Sequence, residues 1–328
     1  MLKVTLLLFS GRDNYSWSSD SHSMITNKFL SLFQDNIRGL NIHEHEGKLG
    51  FSGFFVEFTD DTEAIAYEYG LPNSFYICDG KAPSLVLSQQ LGLELLKNFN
   101  MDSEAEKIIT DDIYNVKQEP YDISDDLTRD ENEYIESNNR RRHLHDVGSK
   151  GNVDTDFINP LTGVSYSIEA GFFSKIFWNA PIRQPYNNCY SYACNYASNT
   201  LPQPGLYSNQ RFKNNMQSVI DGIIADGLIP LEDYKNKDYP PNYVVALYTT
   251  ETYPEPLSHF ILWDYHFYRL CVSRGHEHRQ IWGHKPGTSK ARKRDEQNQI
   301  ILDPNKCDRG NYTEFGGYFI VNRQVKIK

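Results

Sequence analysis

The chain has 328 residues, of which 39% are hydrophobic and 23% charged, an ordinary balance for a globular protein with room for two domains. Its formal net charge of −10 argues against a general nucleic-acid binder, which needs a basic face. No apolar run is long enough to cross a bilayer, and the short apolar start lacks the features of an export signal. We therefore expect a cytoplasmic protein with neither nucleic acid nor membrane as a partner.

Residues 1–98 have the pattern of a small α/β domain. Strands are predicted at Lys3–Phe9 and Gly53–Phe58, and apolar residues at helical spacing predict helices at Ser23–Phe33 and Ser84–Phe99. No motif in this domain indicates a chemical role. Binding of a partner protein is the function that stays open for it.

Residues 99–153 differ from both flanking regions in composition. They are rich in Asp and Glu and poor in apolar residues, and they include the basic run Arg140–Arg142. High charge with little to bury predicts an acidic linker or an extended arm.

Residues 154–328 have the pattern of a second globular domain. Helices are predicted at Cys189–Ala197 and at Arg211–Ala225, where Gly227 follows the last turn. Strand-like runs follow at Tyr243–Thr249, Phe260–Trp263, His266–Val272, Arg279–Trp282 and Gly317–Val321. This order predicts an α+β domain in which helices pack on an antiparallel sheet.

Five scattered cysteines predict reduced thiols rather than a disulfide framework or a zinc site. Among them Cys189 is the candidate nucleophile, because Asn188 is a good N-cap residue and a thiol in the first helical turn is favoured as thiolate. Cys194 and Cys271 are predicted to be structural. Gln184 is a possible oxyanion donor or an ordinary loop residue.

A cysteine nucleophile needs an imidazole as acid and base, and a further polar group to orient that imidazole. His266 opens one predicted strand and His284 follows the next. If these strands form a hairpin, the two rings lie side by side, with His266 facing the thiol. His259 is a rival base. Asp264 and Asp303 are alternative orienting groups.

Three stretches carry a resemblance to a known family: NCYSYA at 188–193, DYHFYR at 264–269 and WGHKPG at 282–287. Over about residues 157–322 the chain resembles the NlpC/P60-like branch of papain-like cysteine peptidases and amidases. The resemblance implies a papain-like fold with Cys189 as nucleophile, His266 as base and His284 as orienting residue. The usual Asp-Cys-Ser-Gly of that family is Asn-Cys-Tyr-Ser here, so the substrate class is open.

The leading hypothesis is a cysteine hydrolase that cleaves an amide bond in a peptide or a peptidoglycan stem through an acyl-enzyme, without a cofactor. The alternatives are a catalytically inert binding module, and an intracellular effector or toxin that uses the same residues for acyl transfer.

Two other groups of residues receive structural interpretations. The pairs His43/His45 and His276/His278 have the spacing of metal ligands on a strand, but their polar surroundings favour exposed loop histidines, so no metal site is predicted. The basic run Lys290–Arg294 is interpreted as a solvated surface.

Overall fold

The computed structural model describes residues 1–42, 45, 47–119, 156–158, 165–167, 173, 175–210, 213–232, 243–251, 262–272, 280–321 and 325–328. These residues form two compact units. The first contains residues 1–9, 13–119 and 262. The second contains residues 10–12 and, apart from residue 262, the described residues from 156 onward. Within these ranges no helix is long and apolar enough to cross a membrane.

The first unit is built on a four-stranded antiparallel sheet. The strands are β1 (Leu2–Leu6), β2 (Tyr15–Ser19), β3 (Phe54–Phe58) and β4 (Ser74–Ile77), in the order β2-β1-β3-β4. Alternate residues of β1 and β3 are buried, which is the pattern of strands with one face on a core. The predicted strands at the start of the chain and at Gly53–Phe58 are confirmed, although β1 ends at Leu6.

Four α-helices lie among the described residues of this first unit. They are α1 (Met24–Asp35), α2 (Asp61–Glu68), α3 (Leu85–Leu96) and α4 (Ser103–Asn115). Ser23 and Ser84 cap α1 and α3 through their side-chain oxygens, so both predicted helix starts are confirmed. The sequence interpretation did not include β2, β4 or α2.

Helix α4 corrects the prediction of a linker over residues 99–153. Its Ala105, Ile109 and Ile113 are spaced four residues apart and are fully buried in the core of the first unit. Asp102 caps the helix by accepting hydrogen bonds from two backbone amides. The prediction missed this apolar stripe because it rested on the overall composition, which the surrounding acidic residues dominate. Residues 120–155, the rest of the predicted linker up to the next strand, lie outside the described residues.

The second unit combines short helices with two sheets. Its helices are α5 (Lys175–Trp178), α6 (Cys189–Cys194) and α7 (Met216–Ala225). A two-stranded antiparallel pair joins β5 (Asp156–Ile158) to β6 (Ser165–Ser167). Helix α6 starts at the predicted residue but ends three residues early, because Asn195 takes a left-handed conformation with φ of 57°.

A five-stranded antiparallel sheet forms the centre of the second unit. Its strands are β7 (Ile229–Leu231), β8 (Tyr243–Thr249), β9 (Tyr265–Val272), β10 (Gln280–His284) and β11 (Glu314–Val321), in the order β10-β9-β8-β11-β7. The predicted α+β class and antiparallel sheet are therefore confirmed. The predicted strand at Phe260–Trp263 is wrong for Leu262 and Trp263, which belong to no strand, and its first two residues lie outside the described residues.

Candidate active site

The start of α6 is fixed by a reciprocal pair of hydrogen bonds. The Asn188 side-chain oxygen accepts from the amides of Tyr190 and Ser191, each at 3.1 Å. In return, the Ser191 hydroxyl accepts from the Asn188 amide at 3.2 Å. This capping box places Cys189 as the first helical residue.

The environment of Cys189 is closed to solvent. All six residues of α6 are buried, and the Cys189 side chain is 0% exposed, with its thiol 3.8 Å from the Tyr265 carbonyl oxygen. Burial, followed by the charge of Asp264, raises the pKa of the Cys189 thiol. The expectation of a thiolate at this helix start is therefore wrong for this state, because desolvation outweighs whatever the helix start contributes.

His266 and His284 lie next to each other on neighbouring strands. In the β9–β10 register His284 is opposite Tyr268, which lies two residues after His266 and thus on the same face of the sheet. The His266 Nε2 and His284 Nδ1 atoms are 2.9 Å apart. Both rings are fully buried. The predicted side-by-side placement of the two histidines is confirmed.

The hydrogen-bond partners assign the tautomers of both rings. His284 Nε2 lies 2.9 Å from the Arg294 carbonyl oxygen, which only accepts, so this nitrogen carries the proton. The Arg292 guanidinium approaches the same nitrogen at 3.2 Å, but that contact is longer and competes with the carbonyl. His266 Nε2 then donates to His284 Nδ1, which leaves a lone pair on His266 Nδ1.

Burial keeps both imidazoles neutral. It lowers the pKa of His266 well below the ordinary value, and the charges of His284 and Arg292 lower it further. The pKa of His284 is lowered by burial and by Arg292, against a smaller opposing effect of the Arg294 carbonyl. His266 is therefore an unprotonated base with its free lone pair on Nδ1.

Ser10 contacts this histidine and influences the thiol. Its hydroxyl is hydrogen-bonded to His266 Nδ1 and accepts from the Gly287 amide at 3.4 Å. Ser10 also lowers the pKa of the Cys189 thiol, against the larger effect of burial, and it is 2% exposed. A continuous hydrogen-bonded chain thus runs from Ser10 through the two imidazoles to the Arg294 carbonyl.

The peptide around Gly11 is held as tightly as the Ser10 hydroxyl. The Gly11 carbonyl oxygen accepts from the Asn188 amide group at 2.9 Å, the Gln203 amide group at 3.0 Å and the Tyr265 hydroxyl at 2.9 Å. A Cβ atom at Gly11 would lie only 2.3 Å from the Tyr265 ring. Only glycine fits here.

Asp264 holds the same segment from the other side. Its carboxylate accepts from the amides of Ser10, Gly11 and Arg12, and from the Tyr312 hydroxyl. Burial raises the pKa of Asp264, while the hydrogen bonds from Tyr312 and the backbone amides oppose that shift. Asp264 therefore anchors Ser10–Arg12, and the orienting contact to His266 comes from His284.

Lys285 is a second residue that the sequence interpretation did not include. Its side chain is fully buried, and its ammonium donates to the carbonyl oxygens of Gln184 at 2.8 Å, Asn187 at 2.6 Å and Gly287 at 2.8 Å. Burial lowers the pKa of Lys285, and the neighbouring Cys189 opposes that shift. The three contacts fix the turn that leads into α6.

The structure also describes several other residues that the sequence singled out as candidates. Asp303 accepts from the Asn305 amide in an exposed turn, and Gln184 supplies its backbone carbonyl to Lys285. Cys194 and Cys271 are buried, as predicted. The candidates that lie outside the described residues are His43, His259, His276 and His278.

Two structural interpretations from the sequence are wrong. The basic run Lys290–Arg294 is partly buried rather than a solvated surface, with Arg292 paired to Glu296. The Arg292 backbone pairs with that of His284. His45 is only 6% exposed and is hydrogen-bonded to Ser52, so it is not an exposed loop histidine.

No family model matches the sequence, and no solved structure matches the chain. The class that the fold defines is a mixed α+β protein. Among curated proteins, insoluble matrix shell protein 1 of Ruditapes philippinarum is 33% identical to this chain over 154 residues. The match covers 46% of this chain and 89% of that protein. The chain therefore belongs to the same family as insoluble matrix shell protein 1.

Proposed function

We propose that the second unit is a papain-like thiol hydrolase that cleaves an amide bond in a peptide or a peptidoglycan stem. Cys189 is the nucleophile, His266 the acid and base, and His284 the residue that orients His266. The observation that carries the proposal is the hydrogen-bonded chain from Ser10 to His266 and His284, together with the effect of Ser10 on the pKa of the Cys189 thiol. A base with a defined tautomer and a fixed orienting partner is the arrangement that nucleophilic catalysis needs.

The proposed reaction uses the free lone pair of His266. The thiol proton passes to His266 Nδ1 as the sulfur attacks the amide carbon. The same proton then goes to the leaving amine, which separates from the acyl-enzyme. Water attacks the thioester with His266 again as base, and the carboxylic acid is released. His284 holds the ring throughout, because its own Nε2 is tied to the Arg294 carbonyl.

In this proposal the described state is the resting state. Cys189 and His266 are both 0% exposed, so a substrate reaches them only after Ser10–Arg12 moves away. The Gly11 carbonyl then marks where a substrate carbonyl binds, because three side-chain donors converge on it. Once Ser10 has moved away, the thiol and His266 Nδ1 are able to interact directly.

A second candidate function is a binding module without catalysis. The complete burial of Cys189 and the raised pKa of its thiol favour this alternative, since structural cysteines are typically buried and protonated. The name of the relative describes an insoluble matrix protein of a shell and mentions no catalytic activity.

Amide turnover separates the two functions. The full-length chain is tested on a panel of peptides and peptidoglycan fragments, together with Cys189→Ala and the matched variant Cys194→Ala. Cys194 is an equally buried thiol five residues away. We expect cleavage that is lost in Cys189→Ala and kept in Cys194→Ala. Equal activity of both variants, or no cleavage of any substrate by the unsubstituted chain, contradicts the hydrolase proposal.

A further inference from the structure

The first unit contains a serine, a histidine and an aspartate whose side chains lie next to each other. Ser52 lies just before β3, Asp79 follows β4, and His45 lies in the connection between α1 and β3. The three residues are 5–6% exposed. None of them belongs to the thiol site, which lies in the second unit.

The distances place these side chains in the order nucleophile, base and carboxylate. The Ser52 hydroxyl lies 2.8 Å from His45 Nε2, and His45 Nδ1 lies 3.7 Å from the Asp79 carboxylate. The Lys48 backbone amide donates to the Ser52 oxygen at 2.9 Å. Since that oxygen already accepts a hydrogen bond, its own proton is free to point at His45 Nε2.

Further contacts fix the carboxylate and the imidazole. Asp79 accepts from the Asn41 side chain and from the Lys81 amide at 3.1 Å. The His45 ring stacks on Tyr76, with ring centroids 4.7 Å apart and an angle of 23° between the planes. The imidazole is thus held between a hydroxyl, a carboxylate and an aromatic face.

The charge state of Asp79 suits an orienting role. Burial raises its pKa, but the neighbouring His45 and the hydrogen bonds from the Asn41 side chain and the Lys81 amide outweigh burial, so the pKa of Asp79 lies below its ordinary value. Asp79 is therefore a carboxylate at neutral pH. A buried carboxylate next to Nδ1 fixes the proton on that nitrogen and leaves Nε2 as the base towards the hydroxyl.

A glycine brings the serine close to the carboxylate. Gly53 has φ of 100°, and a Cβ atom there would lie 2.4 Å from the Ile77 carbonyl oxygen. The backbone at Gly53 therefore lies closer to the end of β4 than a residue with a side chain at this position could lie.

We propose that Ser52, His45 and Asp79 form a second hydrolytic site, which accepts small carboxylic esters. The Ser52 oxygen attacks the ester carbon while its proton passes to His45 Nε2. That proton leaves with the alcohol, and water then hydrolyses the acyl-serine with His45 as base. The small exposed fractions of Ser52 and His45, 6% each, limit the substrate to a small acyl group.

A fluorophosphonate ester tests this site directly, because an activated serine displaces its fluoride and keeps the phosphonyl group. The probe is applied to the full-length chain carrying Cys189→Ala, so that the proposed thiol site contributes nothing. Peptide mapping by mass spectrometry is expected to find the adduct on Ser52 and none on Ser88. Ser88 is a fully buried serine of the same unit that accepts from the Cys78 amide.

Variants of the positioning carboxylate complete the test. Asp79→Asn is expected to slow labelling of Ser52 by at least about 100-fold, the scale set by loss of such a carboxylate in serine hydrolases. Asp79→Glu is expected to restore part of that rate. The melting temperature of each variant reports its fold. Absence of a Ser52 adduct in the folded chain, or equal labelling rates in the folded Asp79→Asn variant, overturns the proposal without affecting the thiol site.

Discussion

At the scale of single residues, burial decides the charge state of the thiol site. The same desolvation raises the pKa of Cys189 and lowers the pKa values of His266 and His284, so the resting site holds a thiol and two neutral rings. Desolvation disfavours whichever form of a group is charged. An ion pair between the thiol and His266 therefore requires water or substrate to enter.

The two buried imidazoles predict a pH dependence of stability. Their folded pKa values lie below the ordinary 6.5, so in that window the unfolded chain binds more protons than the folded chain. The free energy of unfolding should thus fall as the pH drops below 6.5, by up to about 1.4 kcal/mol per pH unit for each ring. Urea unfolding from about pH 7.5 to 5.5 measures this slope.

His284→Gln is the control for this pH dependence. It removes one of the two buried rings and keeps a polar group near the Arg294 carbonyl. We expect a shallower slope than in the unsubstituted chain, because one titrating group is lost. Identical slopes in both proteins would show that His284 does not resist protonation in the folded state.

At the scale of secondary-structure elements, apolar spacing and one capping residue predicted helices that the structure contains. Apolar residues at helical spacing predicted α1 and α3, and Asn188 predicted the start of α6. Their N-cap residues are Ser23, Ser84 and Asn188. The missed elements lacked such a signal. Strand β2 alternates serine with aromatic residues, and α2 is preceded by Asp60, whose φ of 56° is unusual and whose side chain makes no capping bond.

Asn188, the N-cap residue of α6, also donates hydrogen bonds through its side chain, and a control variant separates this role from capping. Asn188→Ala removes the cap and also the side-chain donor to the Gly11 and Pro202 carbonyls. Asn215→Ala removes only the cap of α7 and should cost about 1 kcal/mol. We expect Asn188→Ala to cost a further 1–3 kcal/mol, roughly, because the buried Pro202 carbonyl loses its donor, whereas the Gly11 carbonyl keeps those of Gln203 and Tyr265. Equal losses in chemical denaturation would mean that the donor role is negligible.

Helix α4 supplies a prediction about the first unit. Ile109→Ala should lower the free energy of unfolding by about 2–5 kcal/mol, because it creates a cavity in a packed core. The neighbouring Lys107 is exposed, and Lys107→Ala should change stability by less than about 0.5 kcal/mol. If both variants are equally stable, residues 103–115 behave as the linker that their composition suggests.

At the scale of the whole molecule, the thiol site is assembled from residues far apart in the sequence. The sequence predicted three of its residues, namely Cys189, His266 and His284. A capped cysteine followed along the chain by two histidines at the ends of neighbouring strands is a recognisable pattern. Ser10 and His266 are 256 positions apart in the sequence, so no local pattern signals their contact. Lys285 was missed for a related reason, since a lysine next to a glycine-containing turn is typical of a surface.

The architecture also explains why the donors around the Gly11 carbonyl are not visible in the sequence. The groups that converge on the Gly11 carbonyl come from α6, from β9 and from the connection after α6. Only the fold brings these three positions together. A reading of motifs identifies the candidate residues but not the donors around the Gly11 carbonyl.

The rate at which Cys189 reacts with iodoacetamide tests the central claim most directly. Gly11→Ala introduces a Cβ atom that clashes with Tyr265 and should expel Ser10–Arg12 from the site. We predict that this substitution speeds labelling of Cys189 by at least about tenfold, that Cys194 and Cys271 stay protected, and that adding His266→Gln cancels the gain. Equally slow labelling of Cys189 and Cys194 in folded Gly11→Ala protein would contradict an activated thiol at Cys189.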